Sequence, residues 1–312
     1  MSTPVRVAVI GVGHLGRHHA RILATLPSAT LVGVVDIDRQ RAEQVAAEHD
    51  TQPFGTWQDV QGRVDAVSVA VPTEAHLDVA LSLIEQGVHV LVEKPMTRSV
   101  DEADRLIAEA RARGVVLAVG HTERFNPAVA MARPLLQEPR FIEAHRLGTF
   151  PERSLDIDVV FDLMIHDLDI VLNLVGRDVA SIEAVGVPVL TPRVDIANVR
   201  LRFEGGCIAN LTASRISRDR VRKIRFFQRD VYVSIDYAAQ EVEGWRLVRR
   251  DGQVPAIEGG KLEVVREEPL LREITDFIDA IVDRRPPQVT GEQGRGALAL
   301  AARIAERMEE NA

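Results

Sequence analysis

The sequence predicts an α/β fold: a doubly wound parallel sheet first, then an α+β domain built on a large, mainly antiparallel open sheet. Three observations carry this. The first 120 residues alternate short apolar runs with helical patterns, as a parallel sheet with right-handed crossovers requires. Val7-Ala8-Val9-Ile10 runs directly into Gly11-Val12-Gly13-His14-Leu15-Gly16, a strand opening on G-x-G-x-x-G. After about His121 the pattern changes to longer alternating segments.

Strands buried on both faces read as continuous apolar runs. Val5–Ile10, Leu31–Val35, Ala66–Val71, Val88–Val92 and Val115–Val119 are such runs, with a weaker strand near Gln52–Gly55. Helices fit Leu15–Thr25, Arg39–His49, Glu74–Gln86 and Val100–Arg113, the last preceded by a capping box, Ser99-Val100-Asp101-Glu102. Six strands with helices on both faces make the Rossmann dinucleotide-binding plan. Beyond His121, strands are expected at Phe141–Leu147, Ser181–Val189, Ala197–Phe203, Cys207–Ser214, Lys223–Phe227 and Val231–Tyr237, with Gly205-Gly206 as a hairpin turn. Helices at Val159–Val175, Leu270–Val282 and Gly296–Glu309 are expected to complete the second domain. The expected division is therefore 1–120 for the nucleotide and 121–312 for substrate binding and oligomerisation, with the site in the cleft between them.

With 312 residues and 46% hydrophobic content the chain can bury a large core. A strand within a few residues of Met1 leaves no room for a signal peptide, and no apolar run approaches a membrane span, so a cytoplasmic protein is expected. Cys207 stands alone, which excludes an intrachain disulfide and a Cys-rich metal site. Net charge −8 and 4% aromatics argue against nucleic acid as a partner. One stretch, Arg215 to Arg229, holds seven basic residues and one acid, Asp219. Two readings stand: solvent-facing positions of amphipathic strands, because Val221, Ile224, Phe226 and Phe227 interleave with them, or a phosphate-binding or subunit-contact role.

Gly11, Gly13 and Gly16 allow a tight turn, close approach of a pyrophosphate and close helix packing, with phosphates on the helix N-terminus beside His14 and Leu15. Asp36 closes the second strand 20 residues after Gly16. Its carboxylate suits a ribose 2′-OH and repels a 2′-phosphate: at ~4 Å and an effective dielectric of ~20 the repulsion is roughly 4 kcal/mol. NAD is expected over NADP, with Arg39 close enough to soften the preference. The competing reading of Asp36 is a cap for the next helix.

Glu93-Lys94-Pro95 follows the apolar run Val88–Val92, which puts a lysine at the carboxyl end of a buried strand, the edge where open α/β sheets bind ligands. A solvated lysine is the plain alternative. On the expected helix 159–175, Asp158, Asp162, His166, Asp169 and Asn173 fall at steps of four, four, three and four, one polar stripe on an otherwise apolar helix. Such a stripe must face water, a polar partner or a site. His166 is the candidate base, Asp162 its neighbour, and the alternative is Lys94 as the base with His166 in support. A metal site from Asp162, His166, Asp167 and His145 lacks a second closely spaced His pair, so no metal is expected. His14, His18, His19, His49 and His89 carry no special signal, and Pro72-Thr73 with His76 sit after a strand on the cofactor side.

These motifs together resemble the glucose-fructose oxidoreductase, inositol dehydrogenase and MocA family over essentially the whole chain. The resemblance rests on the glycine motif, Val71-Pro72-Thr73-Glu74-Ala75-His76, Glu93-Lys94-Pro95, Gly120-His121-Thr122-Glu123-Arg124-Phe125-Asn126-Pro127 and Asp162-x-x-x-His166. It implies a nicotinamide cofactor in the first domain with Glu93 near the nicotinamide ribose. It also implies substrate on the second domain's sheet, contacted by Lys94, Asp162 and His166, and homodimers or homotetramers formed through the open sheet face. Met164 departs from the family's Asp-x-Gly-x-His pattern, leaving the charged pair but adding bulk. A narrower run, Arg146–Arg153 with Asp156–Asp169, is similar to the branch that oxidises the 3-hydroxyl of UDP-N-acetylglucosamine. The expected activity is thus hydride transfer from a secondary hydroxyl of a sugar or nucleotide sugar to NAD. The rivals are a cofactor-sensing regulator without turnover and an NADPH-linked reductase of a carbonyl or tetrapyrrole.

Overall fold

The computed structural model describes residues 3–150, 157–251 and 253–310. Its contacts divide the chain into two compact units: Met1–Thr122 with Glu268–Arg295, and Glu123–Glu267 with Gly296–Ala312.

In the first unit the chain runs β1 (Val5–Ile10), α1 (Gly16–Thr25), β2 (Ala29–Val35), α2 (Arg39–Glu48), β3 (Gln52–Phe54), β4 (Ala66–Val69), α3 (His76–Glu85), β5 (His89–Glu93), α4 (Val100–Arg113) and β6 (Leu117–Gly120). The strands form one parallel sheet in the order β3-β2-β1-β4-β5-β6. The order reverses between β1 and β4, so a crevice opens at the carboxyl ends of these strands, the switch point of a doubly wound sheet. Local signals agree with the tertiary result. Ser99 caps α4 by accepting from the Glu102 N–H at 3.3 Å, and Gly114 ends it in the left-handed region at φ +66°.

One expectation fails here. The helix Pro269–Val282 does not complete the second domain; Ile274, Phe277 and Ile278 lie buried in the core of the first unit with Val5, Val9, Ile22 and Leu23. Its apolar residues at i, i+3 and i+4 give it a face to bury, at about 1.5–3 kcal/mol per side chain. Periodicity states that a face exists, not what covers it.

The second unit holds α5 (Pro127–Ala132), β7 (Phe141–Leu147), α6 (Ile165–Val175), β8 (Val179–Val187), β9 (Ile196–Phe203), β10 (Ile208–Ser214), β11 (Val221–Gln228), β12 (Val231–Asp236), β13 (Glu241–Val248) and β14 (Ala256–Leu262). They build an eight-stranded sheet ordered β14-β13-β12-β11-β7-β10-β9-β8, antiparallel except for β7 with β10. One face is buried by alternation: Ile142 and Ala144, Val199 and Leu201, Leu211 and Ala213, Ile224 and Phe226 pack with Leu168 and Val171 of α6. Leu300, Ala301 and Ile304 of the helix Gly291–Glu310 close the same core. Gly205 and Gly206 turn the β9–β10 hairpin at φ +83° and +87°.

Strands β13 and β14 had no clear signal in the sequence. Glu241, Glu243 and Arg246 break the apolar pattern of β13, and Gly259 sits in β14 because a Cβ there would lie 2.0 Å from the Gly244 carbonyl oxygen of the neighbouring strand. Charge and glycine near a sheet edge guard against edge-to-edge pairing, and they blur the strand signature.

Candidate active site

In the first unit the expected cofactor residues gather at the carboxyl ends of β1, β2, β4 and β5. Each glycine of the motif has a separate reason. Gly11 holds φ +86°, and a Cβ on it would meet the Ala70 carbonyl oxygen at 2.7 Å. A Cβ on Gly16 would stand 1.8 Å from the Gly11 oxygen, while one on Gly13 meets nothing within 4 Å. Gly13 therefore borders open space, beside exposed His14 and Leu15 and the start of α1. No side chain caps α1 and no acid lies in its first turn. An uncapped helix N-terminus beside a glycine with open space fits a pyrophosphate.

Asp36 is buried at the end of β2 and accepts from the backbone N–H of Val12 at 3.0 Å and of Asp38 at 2.9 Å. It ties the glycine loop to the next turn. The helix cap of α2 is Asp38, whose side chain accepts from the Arg41 N–H, so the capping role weighed for Asp36 falls to its neighbour. Arg41, not Arg39, is the guanidinium beside Asp36, at 3.2 Å; Arg39 pairs with Glu43.

Pro72 and Thr73 open the short turn Thr73–Ala75 after β4, Pro72 exposed and Thr73 half-buried. His76 is buried, with Nδ1 facing the Pro95 carbonyl and Nε2 the Val71 carbonyl, both at 3.0 Å. Burial lowers its pKa against the opposing pull of the two carbonyls. What His76 brings to this end of the sheet is the position of the loops after β4 and β5. Glu93 is buried and accepts at Oε2 from the Lys94 N–H at 3.2 Å, next to a cis Lys94-Pro95 bond and half-buried Lys94. Its Oε1 meets His19 Nε2 at 3.1 Å, and His19 Nδ1 meets Ser68 Oγ at 2.7 Å. Burial alone would raise the Glu93 pKa; the His19 hydrogen bond and the charges of His19 and Lys94 outweigh it and leave the pKa lowered.

His19 is the residue that the sequence reading passed over. It is fully buried and carries the Ser68–His19–Glu93 chain. Its signal was available: Gly16, His19, Ala20 and Leu23 are all buried, at i, i+3, i+4 and i+7 of α1.

In the second unit the polar stripe divides. Asp158 accepts from the Val194 N–H at 2.9 Å, Asp169 pairs with buried Arg124 at 3.2 Å, and Asn173 accepts from Arg133 at 3.1 Å. Three of its five members thus have structural partners. Asp162 and His166, both half-buried, lie where the helix is irregular: Val160–Met164 is a π-turn that passes into α6 at Ile165. The wider i→i+5 turn shifts Asp162 out of the α-helical register that the spacing assumed, and such turns recur at functional sites.

Asp167, weighed as a metal ligand, belongs to Arg146 instead. Arg146 Nε meets Asp167 Oδ2 at 2.8 Å, Nη2 meets Oδ1 at 3.1 Å, and Nη1 reaches Glu123 at 3.0 Å. Burial opposes the guanidinium charge, but the carboxylates of Asp167 and Glu123 prevail and raise its pKa further. The guanidinium also lies 5.2 Å over the Tyr237 ring, whose hydroxyl is buried and unpartnered among the described residues. This clamp grips the residue next to His166. Of the narrower run, residues 151–153 and Asp156 lie outside the described residues.

The comparisons with known proteins agree with the fold of the two units. Residues 5–121 match the profile of an oxidoreductase family with an NAD-binding Rossmann fold, and residues 132–230 match the GFO/IDH/MocA C-terminal domain. The chain belongs to this family. It is an NAD-dependent dehydrogenase acting on CH–OH groups. The UDP-N-acetylglucosamine 3-dehydrogenase of Acidithiobacillus ferrooxidans is 42% identical over 304 residues, covering 96% of each chain. A solved structure of that enzyme superposes with a TM-score of 0.92 over 99% of both chains. The scyllo-inositol 2-dehydrogenase (NAD(+)) of Bacillus subtilis is 33% identical and covers 70% of this chain and 69% of its own.

Proposed function

We propose that this family member oxidises a secondary ring hydroxyl of a nucleotide sugar, the 3-hydroxyl of UDP-N-acetylglucosamine, with NAD as acceptor. The observation that carries this is the end-to-end match to the Acidithiobacillus ferrooxidans enzyme, 96% of each chain at 42% identity. Bound NAD supplies the hydride acceptor. In this reading the first unit binds it: Gly11, Gly13, His14, Leu15 and Gly16 hold the pyrophosphate, Asp36 accepts from the adenosine ribose, Pro72, Thr73 and His76 flank it, and Glu93 lies by the nicotinamide ribose. His166 accepts the hydroxyl proton, Asp162 orients its imidazole, and Lys94 stabilises the developing alkoxide. The Asp167–Arg146 clamp supports this assignment, because a base needs a fixed backbone and a salt bridge on the adjacent residue supplies one. The exposed polar face of the eight-stranded sheet, with Lys223 and Arg225, supports a homo-oligomer formed there.

The test is NADH formation with UDP-N-acetylglucosamine, free N-acetylglucosamine and inositols. Turnover on the nucleotide sugar is expected; turnover on inositol alone refutes the substrate. His166→Ala should lower kcat by about 10²–10⁴ with NAD affinity unchanged, and a loss under threefold refutes the role of His166.

A further inference from the structure

The basic stretch from Arg215 to Arg229 is not one feature. Arg215 is fully buried and pairs with Asp195 at 2.8 Å. Lys223 pairs with Asp236 and Arg225 with Glu143, across strands on the outer face of the sheet. Arg229 is within 3.9 Å of Asp230, and Arg220 donates to the Thr149 hydroxyl. Arg218 projects from an exposed turn beside Asp219. That leaves Arg222, whose guanidinium has no hydrogen bond or ion pair among the described residues.

Its place in the sheet is unusual for a charge with no partner. Arg222 is two residues before Ile224 and four before Phe226, both fully buried, so it stands on the inner face, the face covered by α6. Its cross-strand partner is Arg146. Like charges directly opposite on a sheet repel, and Glu123 and Asp167 make their ion pairs with Arg146, acting on Arg222 only from beyond ion-pair distance. Enough chain surrounds Arg222 to lower its pKa, through desolvation first and Arg146 next, although the side chain keeps an exposed surface. The result is a cation in no ion pair among the described residues, open to solvent, one strand away from the clamp that holds Asp167 beside His166.

We propose that Arg222 receives the diphosphate of the nucleotide-linked sugar, and so makes this site selective for substrates carrying an anionic group at C1. This rests on the proposed oxidation at C3. C1 is separated from C3 by a single ring carbon, so its phosphate stays close to the reacting centre. Guanidinium is suited to the task because its planar fork donates two hydrogen bonds to phosphate oxygens.

UDP alone, titrated into the NAD-bound protein, tests this without requiring turnover. Arg222→Gln should weaken UDP binding roughly 10- to 100-fold, the range of one or two charge-assisted hydrogen bonds, and Arg222→Lys should recover part of it. Lys223→Gln, one residue along on the opposite face, should leave it unchanged. Equal UDP affinity in native protein and Arg222→Gln overturns the inference, even if UDP-N-acetylglucosamine is oxidised. Loss of UDP binding in Arg222→Gln without oxidation of that sugar upholds the anion site and sinks only the substrate. If native protein does not bind UDP, the anion site falls, and the substrate is decided by turnover alone.

Discussion

Replacing Arg146 by methionine tests whether the buried clamp holds the turn that carries His166. The side chains of Arg146 and Asp167 are each 4% exposed, and the bidentate pair between them is 2.8 and 3.1 Å long. Removing one partner leaves Asp167 an uncompensated buried carboxylate, at a cost of about 3–5 kcal/mol. At about 2–4 °C per kcal/mol for a unit of this size, the melting temperature should fall by about 6–20 °C. The second change, Asp167→Leu in the same chain, should restore most of the loss, because apolar side chains replace a buried ion pair at little cost. The destabilisation of the single variant should shrink on acidification towards about pH 4, where an unfolded carboxylate takes up its proton. Trp245 on β13 reports the second unit when Trp57→Phe silences the first, so thermal melts followed by tryptophan fluorescence read the correct part of the chain. A single variant that melts within about 2 °C of its parent, or a double variant no more stable than the single, would refute the reasoning.

Gly16→Ala and Gly13→Ala should separate fold from ligand. The first forces a methyl to 1.8 Å from the Gly11 oxygen and should lower both melting temperature and NAD affinity; the second has open space and should lower NAD affinity alone. Equal melting temperatures for the two would count against this account of the loop. Acidity should act through His76, whose pKa is lowered by burial, then opposed by its carbonyl contacts. A histidine whose folded pKa lies below its unfolded value costs stability when protonated, so stability should fall as pH drops through about 6.5 towards the folded pKa. His76→Gln should flatten that window in unfolding curves taken across pH, and an unchanged slope would assign the effect elsewhere.

Much of the first unit was legible because its signals are local. A strand ending in Gly11, a capping box at Ser99 and an acid after β2 each depend on neighbours a few residues away. Asp162 and His166 stand out in the sequence for a related reason, since polar residues on an apolar helix need an account wherever the helix packs. The account itself was not. Only tertiary structure showed that Asp158, Asp169 and Asn173 pair with Val194, Arg124 and Arg133, partners 36 to 45 residues away along the chain.

What the sequence alone determined was the class of fold, the glycine loop and the kinds of group available for chemistry. Apolar period, turn residues and motif spacing are properties of short segments. What tertiary structure decided was the pairing of those groups. It gave His19 to Glu93, Arg41 to Asp36 and Arg146 to Asp167, placed the helix Pro269–Val282 in the first unit, and left Arg222 opposite Arg146 with no ion pair among the described residues. A buried charge takes whichever partner the fold brings within about 3 Å, and that depends on sheet order and register, which no stretch of sequence specifies alone.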